Sequence, residues 1–151
     1  MTRIDTATSL ARIARPLSGL ILLVLLGLGN QAMAQTPEEQ VRHMLDQAYT
    51  AYDNLELEAA EQTLVQALAL SSAYAIEPRL QADLNFLMGI VSDGLYGDPA
   101  ITAGHFLSGL EADRNAQLNP YYTNPNLDSL FAQALASLPA PPPPTPILSH
   151  L

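Results

Sequence analysis

The chain has 151 residues, no cysteine, six basic and fifteen acidic side chains, and a net charge of −9 at pH 7. Without cysteine it can carry neither a disulfide nor a lipoprotein attachment thiol. So acidic a chain repels nucleic-acid phosphates and anionic lipid, whose protein affinity comes from Lys and Arg, and both are excluded as partners.

The first segment is a targeting signal. Arg3, Arg12 and Arg15 precede the apolar run LSGLILLVLLGLG, and Ala32, Met33 and Ala34 come after it. A charged n-region, an h-region and an A-x-A site mark a secretory signal peptide over residues 1–34, cleaved before Gln35. The apolar run 17–28 is shorter than the roughly 20 residues a membrane span requires, so no stable membrane insertion is expected after cleavage. No pair of adjacent arginines points to twin-arginine export. The expected location is periplasmic or secreted. Cleavage removes three basic residues and one acidic one, leaving three against fourteen, a net charge of −11. The bland reading of that charge is a solvated surface that keeps an exported protein soluble. About 117 residues remain, enough for one core and one domain over 35–138.

Proline punctuates the chain beyond Gln35. Thr36-Pro37, Glu77-Pro78, Asp98-Pro99 and Asn124-Pro125 each place proline where a first helical turn tolerates it, behind a residue that can act as a cap. Glu39 adds a capping box to Thr36. Val41, Met44, Leu45, Ala48 and Tyr52 recur at helical spacing, predicting a helix over about 37–53. Leu57, Ala60, Leu64, Ala67 and Leu68 predict a second, from near Asn54 to near Tyr74. Leu80, Leu84, Leu87, Met88, Val91 and Leu95 mark a third, apolar nearly all round through FLMGIV and therefore expected at the centre. Gly94 and Gly97 fit its end. A fourth starts at Asp98-Pro99 with Ala103, Phe106, Leu107 and Leu110 inward, and a fifth carries Leu127, Leu130, Phe131, Ala134, Leu135 and Leu138. No stretch alternates with period two, so the fold class is all-α: about five helices in stacked antiparallel hairpins. PAPPPPTPILSHL then forms a proline-rich tail, 139–151, which favours an extended conformation and adds nothing to a core.

Ala60, Leu64 and Ala67 keep the small-x-x-x-large-x-x-small spacing that lets two helices approach around one plug. This resembles the second helix of a tetratricopeptide repeat. Ile101 or Thr102, with Phe106 and Gly109, echoes it. The likeness is degenerate. Met44, Gln47, Ala48 and Ala51 stand where the first-helix signature falls, Ser72 replaces the closing proline, and Leu64 and Phe106 are 42 residues apart rather than about 34. Residues 94–135, GLYGDPAITAGHFLSGLEAD…LNPYYTNPNLDSLFAQAL, look like a segment of exported tetratricopeptide-like envelope proteins of myxobacterial type. That resemblance implies a proline-bearing loop packed along the last hairpin and a terminal helix, with Phe131 and Ala134, closing the stack. By this reading 113–135 is packing: Pro120 and Pro125 stiffen an extended crossing, and Tyr121 and Tyr122 lie over the hairpin edges.

Chemistry-bearing patterns are sparse. Glu39, His43 and Asp46 share a helical face able in principle to hold a metal, but such a mixture reads as solvated surface. Ser108 lies three residues after His105 with nothing to orient the imidazole, as a nucleophile would need. Glu56, Glu58 and Glu61 imitate a glycosidase pair, yet that chemistry requires carboxylates facing across a cleft. No catalytic, cofactor-binding or metal-ligating residue is therefore assigned. Tyr49, Tyr52, Tyr121 and Tyr122 admit two readings: half-buried packing, favoured for Tyr49 and Tyr52, or a groove where a peptide docks, since tyrosine offers contact area at little entropy cost. The sequence thus points to a non-catalytic, exported helical-repeat module that binds a protein or peptide in the cell envelope. The alternatives are a spacer whose proline tail makes the contact, and a small-ligand or metal-binding helical protein.

Overall fold

Proline sets four of the five helix starts. In the computed structural model, which describes residues 35–140, α1 (Pro37–Asp53), α2 (Leu57–Ala73), α3 (Pro78–Tyr96), α4 (Pro99–Ala112) and α5 (Pro125–Ser137) run in that order, with no strand among the described residues. The signal segment 1–34 and tail residues 141–151 lie outside them. The chain is all-α, as its periodicity predicts. No described helix is long and apolar enough to cross a membrane.

The caps explain the boundaries. Thr36 accepts from the Glu39 N–H and the Glu39 carboxylate accepts from the Thr36 N–H, a complete capping box. Asp98 accepts from the amides of Ala100 and Ile101, and Asn124 from those of Asn126 and Leu127. Glu77 departs from the pattern. It makes no side-chain cap, and its carboxylate instead reaches Arg42 at 2.7 Å, tying the start of α3 to α1.

Helix α2 begins at Leu57, not near Asn54. The Glu56 N–H donates to the Ala51 carbonyl and the Leu55 N–H to that of Tyr52, a Schellman closure of α1. The left-handed position in that closure falls on Leu55, at φ 63°, where glycine is the usual occupant. α1 ends at Asp53 as its spacing predicts, but with leucine in the left-handed position nothing in the local pattern delays the start of α2 to Leu57. At the end of α3, Gly97 takes the same conformation at φ 60° and donates to the Asp93 carbonyl.

Helices α1–α2 and α3–α4 are two hairpins. α2 packs on α3, α1 touches α3 beside it, and α5 covers α4. The central helix serves two cores at once. Leu80, Leu84, Leu87, Met88 and Val91 face α1 and α2, whereas Ala82, Phe86 and Ile90 face α4 and α5. This is why FLMGIV shows no polar stripe.

Within the second hairpin each helix offers a phenylalanine to a glycine of the other. A Cβ on Gly89 would stand 2.7 Å from the Phe106 ring, and one on Gly109 would stand 2.4 Å from the Phe86 ring and 3.0 Å from the Ala82 carbonyl oxygen. Phe131 of α5 completes a triangle, with ring centroids 5.4 Å from Phe86 and 5.9 Å from Phe106, both edge to face. On α4, Thr102, Phe106 and Gly109 are buried while Ile101 is 43% exposed, so Thr102 takes the place equivalent to Ala60 of α2.

Helix α5 runs parallel to α4. Arg114, two residues past α4, donates to the carbonyl of Pro139, two residues past α5; the two helices therefore end together. Loop 113–124 must travel back along the bundle to allow it. Packed mainly on α4 and reaching α3 through Phe131, α5 fully buries only the stripe Leu127, Leu130 and Ala134. Leu135, expected inward, is 44% exposed, and Phe131 is half-buried.

The Gly109→Ala variant should lose about 1–3 kcal/mol, the usual cost of overpacking a close contact. Gly104→Ala, whose Cβ meets nothing within 4 Å, should gain about 0.5–1 kcal/mol, the helix-interior glycine penalty. Urea denaturation of both decides it, and equal effects would mean that the α3–α4 interlock is not tight.

Candidate partner-binding face

The crossing loop is where the tyrosines gather. Proline biases the residue before it towards extended backbone, and Asn124, at φ −147° and ψ 168°, obeys. Between Asp113 and Asn124 the chain is pinned at intervals. Asp113 accepts from the Asn115 amide, Arg79 of α3 donates to the Gln117 carbonyl at 3.3 Å, and Ala116 is buried beneath. The crossing is not the straight extended strut that Pro120 and Pro125 predict. The Tyr122 N–H donates to the Asn119 carbonyl and the Asn119 side chain accepts from the Tyr121 amide, making a β-turn with Pro120 and Tyr121 at its corners.

That turn separates the adjacent tyrosines. Tyr122 lies against α1, its ring centroid 4.9 Å from that of Tyr49 and 5.6 Å from that of Tyr52, and its hydroxyl donates to Asp53 Oδ2 at 3.2 Å. Tyr121, at the corner, is 91% exposed. Three of the four tyrosines singled out in the sequence are therefore brought together, and the fourth points to solvent. The half-buried setting expected for Tyr49 and Tyr52 is what the helices provide.

The loop spans α3 to α1 and leaves a cleft of about 530 Å³ beneath it, lined on the helix side by Leu45, Tyr49, Arg79 and Asp83. Burial, and then the nearby charge of Asp83, push the Tyr49 phenol up to about 12. Burial also raises Tyr52, with Asp93 and Asp53 adding to it, and raises Tyr122, helped by its bond to Asp53. Burial lifts the Asp83 carboxyl above its usual range, opposed by its pair with Arg79 at 3.1 Å. Phenols held neutral are poor bases and nucleophiles at ordinary pH but remain good hydrogen-bond donors. With an apolar floor and an Arg–Asp rim, such an arrangement is suited to contact.

The other candidates do not converge. Glu39 is committed to the α1 cap, and His43 pairs with Gln47 at 3.1 Å on an exposed surface. Ser108 donates to the Gly104 carbonyl rather than to His105, whose imidazole burial pulls down. Glu61 accepts from the Tyr96 hydroxyl at 2.8 Å, linking α2 to α3. Among the described residues no three acidic or histidine side chains are placed to hold a metal ion. Sequence reasoning missed Asp53, Arg79, Asp83 and Asn119, which reach the face only through contacts distant in the chain; Asn119-Pro120 as a turn signal was the one local clue.

The raised phenols give alkali sensitivity. Tyr49 ionises near 10 in the unfolded chain and at about 12 in the folded one, so its contribution is fully present below about pH 10 and is lost as pH rises towards 12. The loss should be on the order of 1–2 kcal/mol, the full shift being scaled down for a ring partly open to solvent. Urea midpoints measured across this range should fall less steeply for Tyr49→Phe than for the unaltered protein. Identical slopes would mean that Tyr49 titrates normally.

No protein family, curated protein or solved structure matches the chain, and the geometry of this face carries the functional reading.

Proposed function

We propose that the chain is an exported, non-catalytic interaction module of the cell envelope, a degenerate tetratricopeptide-like stack whose α1–α3 face receives a segment of another protein. The n-region, h-region and A-x-A site support export to the periplasm or beyond. One observation supports the contact face above all. Tyr49 and Tyr52 of α1 and Tyr122 of the crossing loop converge beside a cleft edged by Arg79 and Asp83. Tyrosine presents a large, stiff area with a hydrogen-bonding tip, which is why it dominates recognition surfaces. Tyr121 extends the same surface outward from the turn, fully available to a partner.

In-cell crosslinking of the tagged protein, read by mass spectrometry, should return one recurrent envelope protein attached through α1, α3 or residues 113–124. Tyr121→Ala should leave the melting temperature unchanged, because the ring is 91% exposed, while cutting capture about tenfold, as loss of a contact residue does. Attachment solely through residues 139–151, or capture indifferent to Tyr121, would sink this reading in favour of a spacer that works by its tail.

A further inference from the structure

A cleft of about 440 Å³ opens between the last turns of α2 and α4, over the start of α3. Leu68, Ile76 and Pro78 give it apolar walls, Ser72 and Ser108 line its polar edge, and none of its lining residues is charged. Gln81 and Asn85, which also line it, each stand about 200° around α3 from the residue two before, Arg79 or Asp83. The cleft is therefore on the other side of α3 from the tyrosine face.

Asn85 is the group there that lacks an occupant. It is 8% exposed, and its Nδ2 donates to the Gln81 carbonyl at 2.9 Å. A carbonyl can only accept, so the nitrogen faces the helix and the oxygen faces away. Among the described residues nothing donates to Oδ1, and no buried side-chain oxygen or nitrogen lacks a partner; Oδ1 therefore reaches the cleft. Both serines are already committed, Ser72 donating to the Leu68 carbonyl and Ser108 to the Gly104 carbonyl. The carboxamide keeps one acceptor and one N–H for a ligand. These match the N–H and C=O of a single residue in an extended chain, which point the same way, as in the hydrogen-bonded pair of an antiparallel ladder. A helical segment has used both groups internally, and an ionic one would be buried without a counter-charge.

The chain carries such a segment at this end of the bundle. Arg114, two residues past α4, donates to the Pro139 carbonyl, so the tail departs beside Ala112, which borders the cleft. Five of residues 141–146, PPPPTP, are proline and have no N–H to give. Ile147 and Leu148 are the first adjacent pair beyond them with both backbone groups and apolar side chains. Six extended residues at about 3.1 Å each reach about 19 Å, whereas packed helices lie about 8–10 Å apart. The cleft of about 690 Å³ beside α5 is also within reach, but it is edged by Arg114 and Asp128 and holds no buried polar side chain.

We infer that the Ile147–Leu148 pair docks in the cleft between α2, α3 and α4, its extended backbone paired with the Asn85 carboxamide and an apolar side chain set against Leu68 and Ile76. The tail is then an arm folded onto its own domain. This goes beyond the proposed function and does not depend on the tyrosine face.

The test uses the chain 35–151. A diazirine analogue of leucine at position 148, activated by light, should crosslink within the same molecule to the last turns of α2 or to Ile76. Hydrogen exchange at the Ile147 and Leu148 amides should be at least about tenfold slower than in the free peptide TPILSHL. Asn85→Leu should return those two amides to the free rate while the helix amides stay protected. Crosslinks to α5 or to residues 113–124, crosslinks that join two molecules, free-peptide exchange in the unaltered chain, or protection that survives Asn85→Leu each overturn the inference. Should Asn85→Leu also strip protection from the helices, the crosslinks and the exchange rates of the chain with Asn85 intact decide it.

Discussion

Everything else in the bundle is positioned by the close approach of α3 and α4. The reciprocal fit of Phe86 over Gly109 and Phe106 over Gly89 fixes the spacing of these helices and also their register. Each ring fills the space that a side chain would need, and either glycine shifted by one residue would present a Cβ to a ring. Packing of this density tolerates little added volume. Phe131 closes on the same rings, so the three phenylalanines of the chain lock three helices through edge-to-face contacts worth roughly 0.5–1.5 kcal/mol each beyond the area they bury.

The direction of α5 dictates the path of the chain that leads to it. Because Phe131 must reach the α3–α4 seam while α5 runs parallel to α4, the loop has to cross the full length of the bundle. A tight turn would have sent α5 antiparallel, as in a regular hairpin stack. The crossing then falls across α3 and α1, and the helical face that would otherwise be open acquires a cover. α3 couples these regions: one side carries the α1–α2 core and the other the phenylalanine triangle. Tyr52, packed against both cores, joins them at the site itself.

Local signals made the helices legible. Proline at the first turn, Thr36, Asp98 and Asn124 as caps, and 3.6-residue spacing lie within a few residues of what they determine, and the structure places those starts accordingly. The end of α1 near residue 53 was legible, but the start of α2 at Leu57 was not, because Leu55 occupies a left-handed position that sequence reading assigns to glycine. The facing of Leu135 was illegible because the width of a buried stripe depends on how many neighbours a helix has, which periodicity cannot report. The tyrosines were recognised as a group, yet which of Tyr121 and Tyr122 would face α1 depended on a β-turn at Asn119. Asp53, Arg79 and Asp83 entered the site through the path of a loop whose course is set by α5.

Electrostatics limits what can lie on this face. Arg79 is engaged twice, by Asp83 and by the Gln117 carbonyl, so little positive potential is left to attract an acidic segment. A strongly cationic segment would be drawn to the surface as a whole, but burying its charge beside Tyr49 and Leu45 would sacrifice hydration that one partly paired carboxylate restores poorly. A neutral segment escapes both penalties. It can supply a hydroxyl to Asp53 and a ring to Tyr49 and Tyr52 while leaving the Arg79–Asp83 pair intact, and the stretch of the chain that lies there has that chemistry. Burial cost therefore makes this face a better setting for a neutral segment than for a charged one.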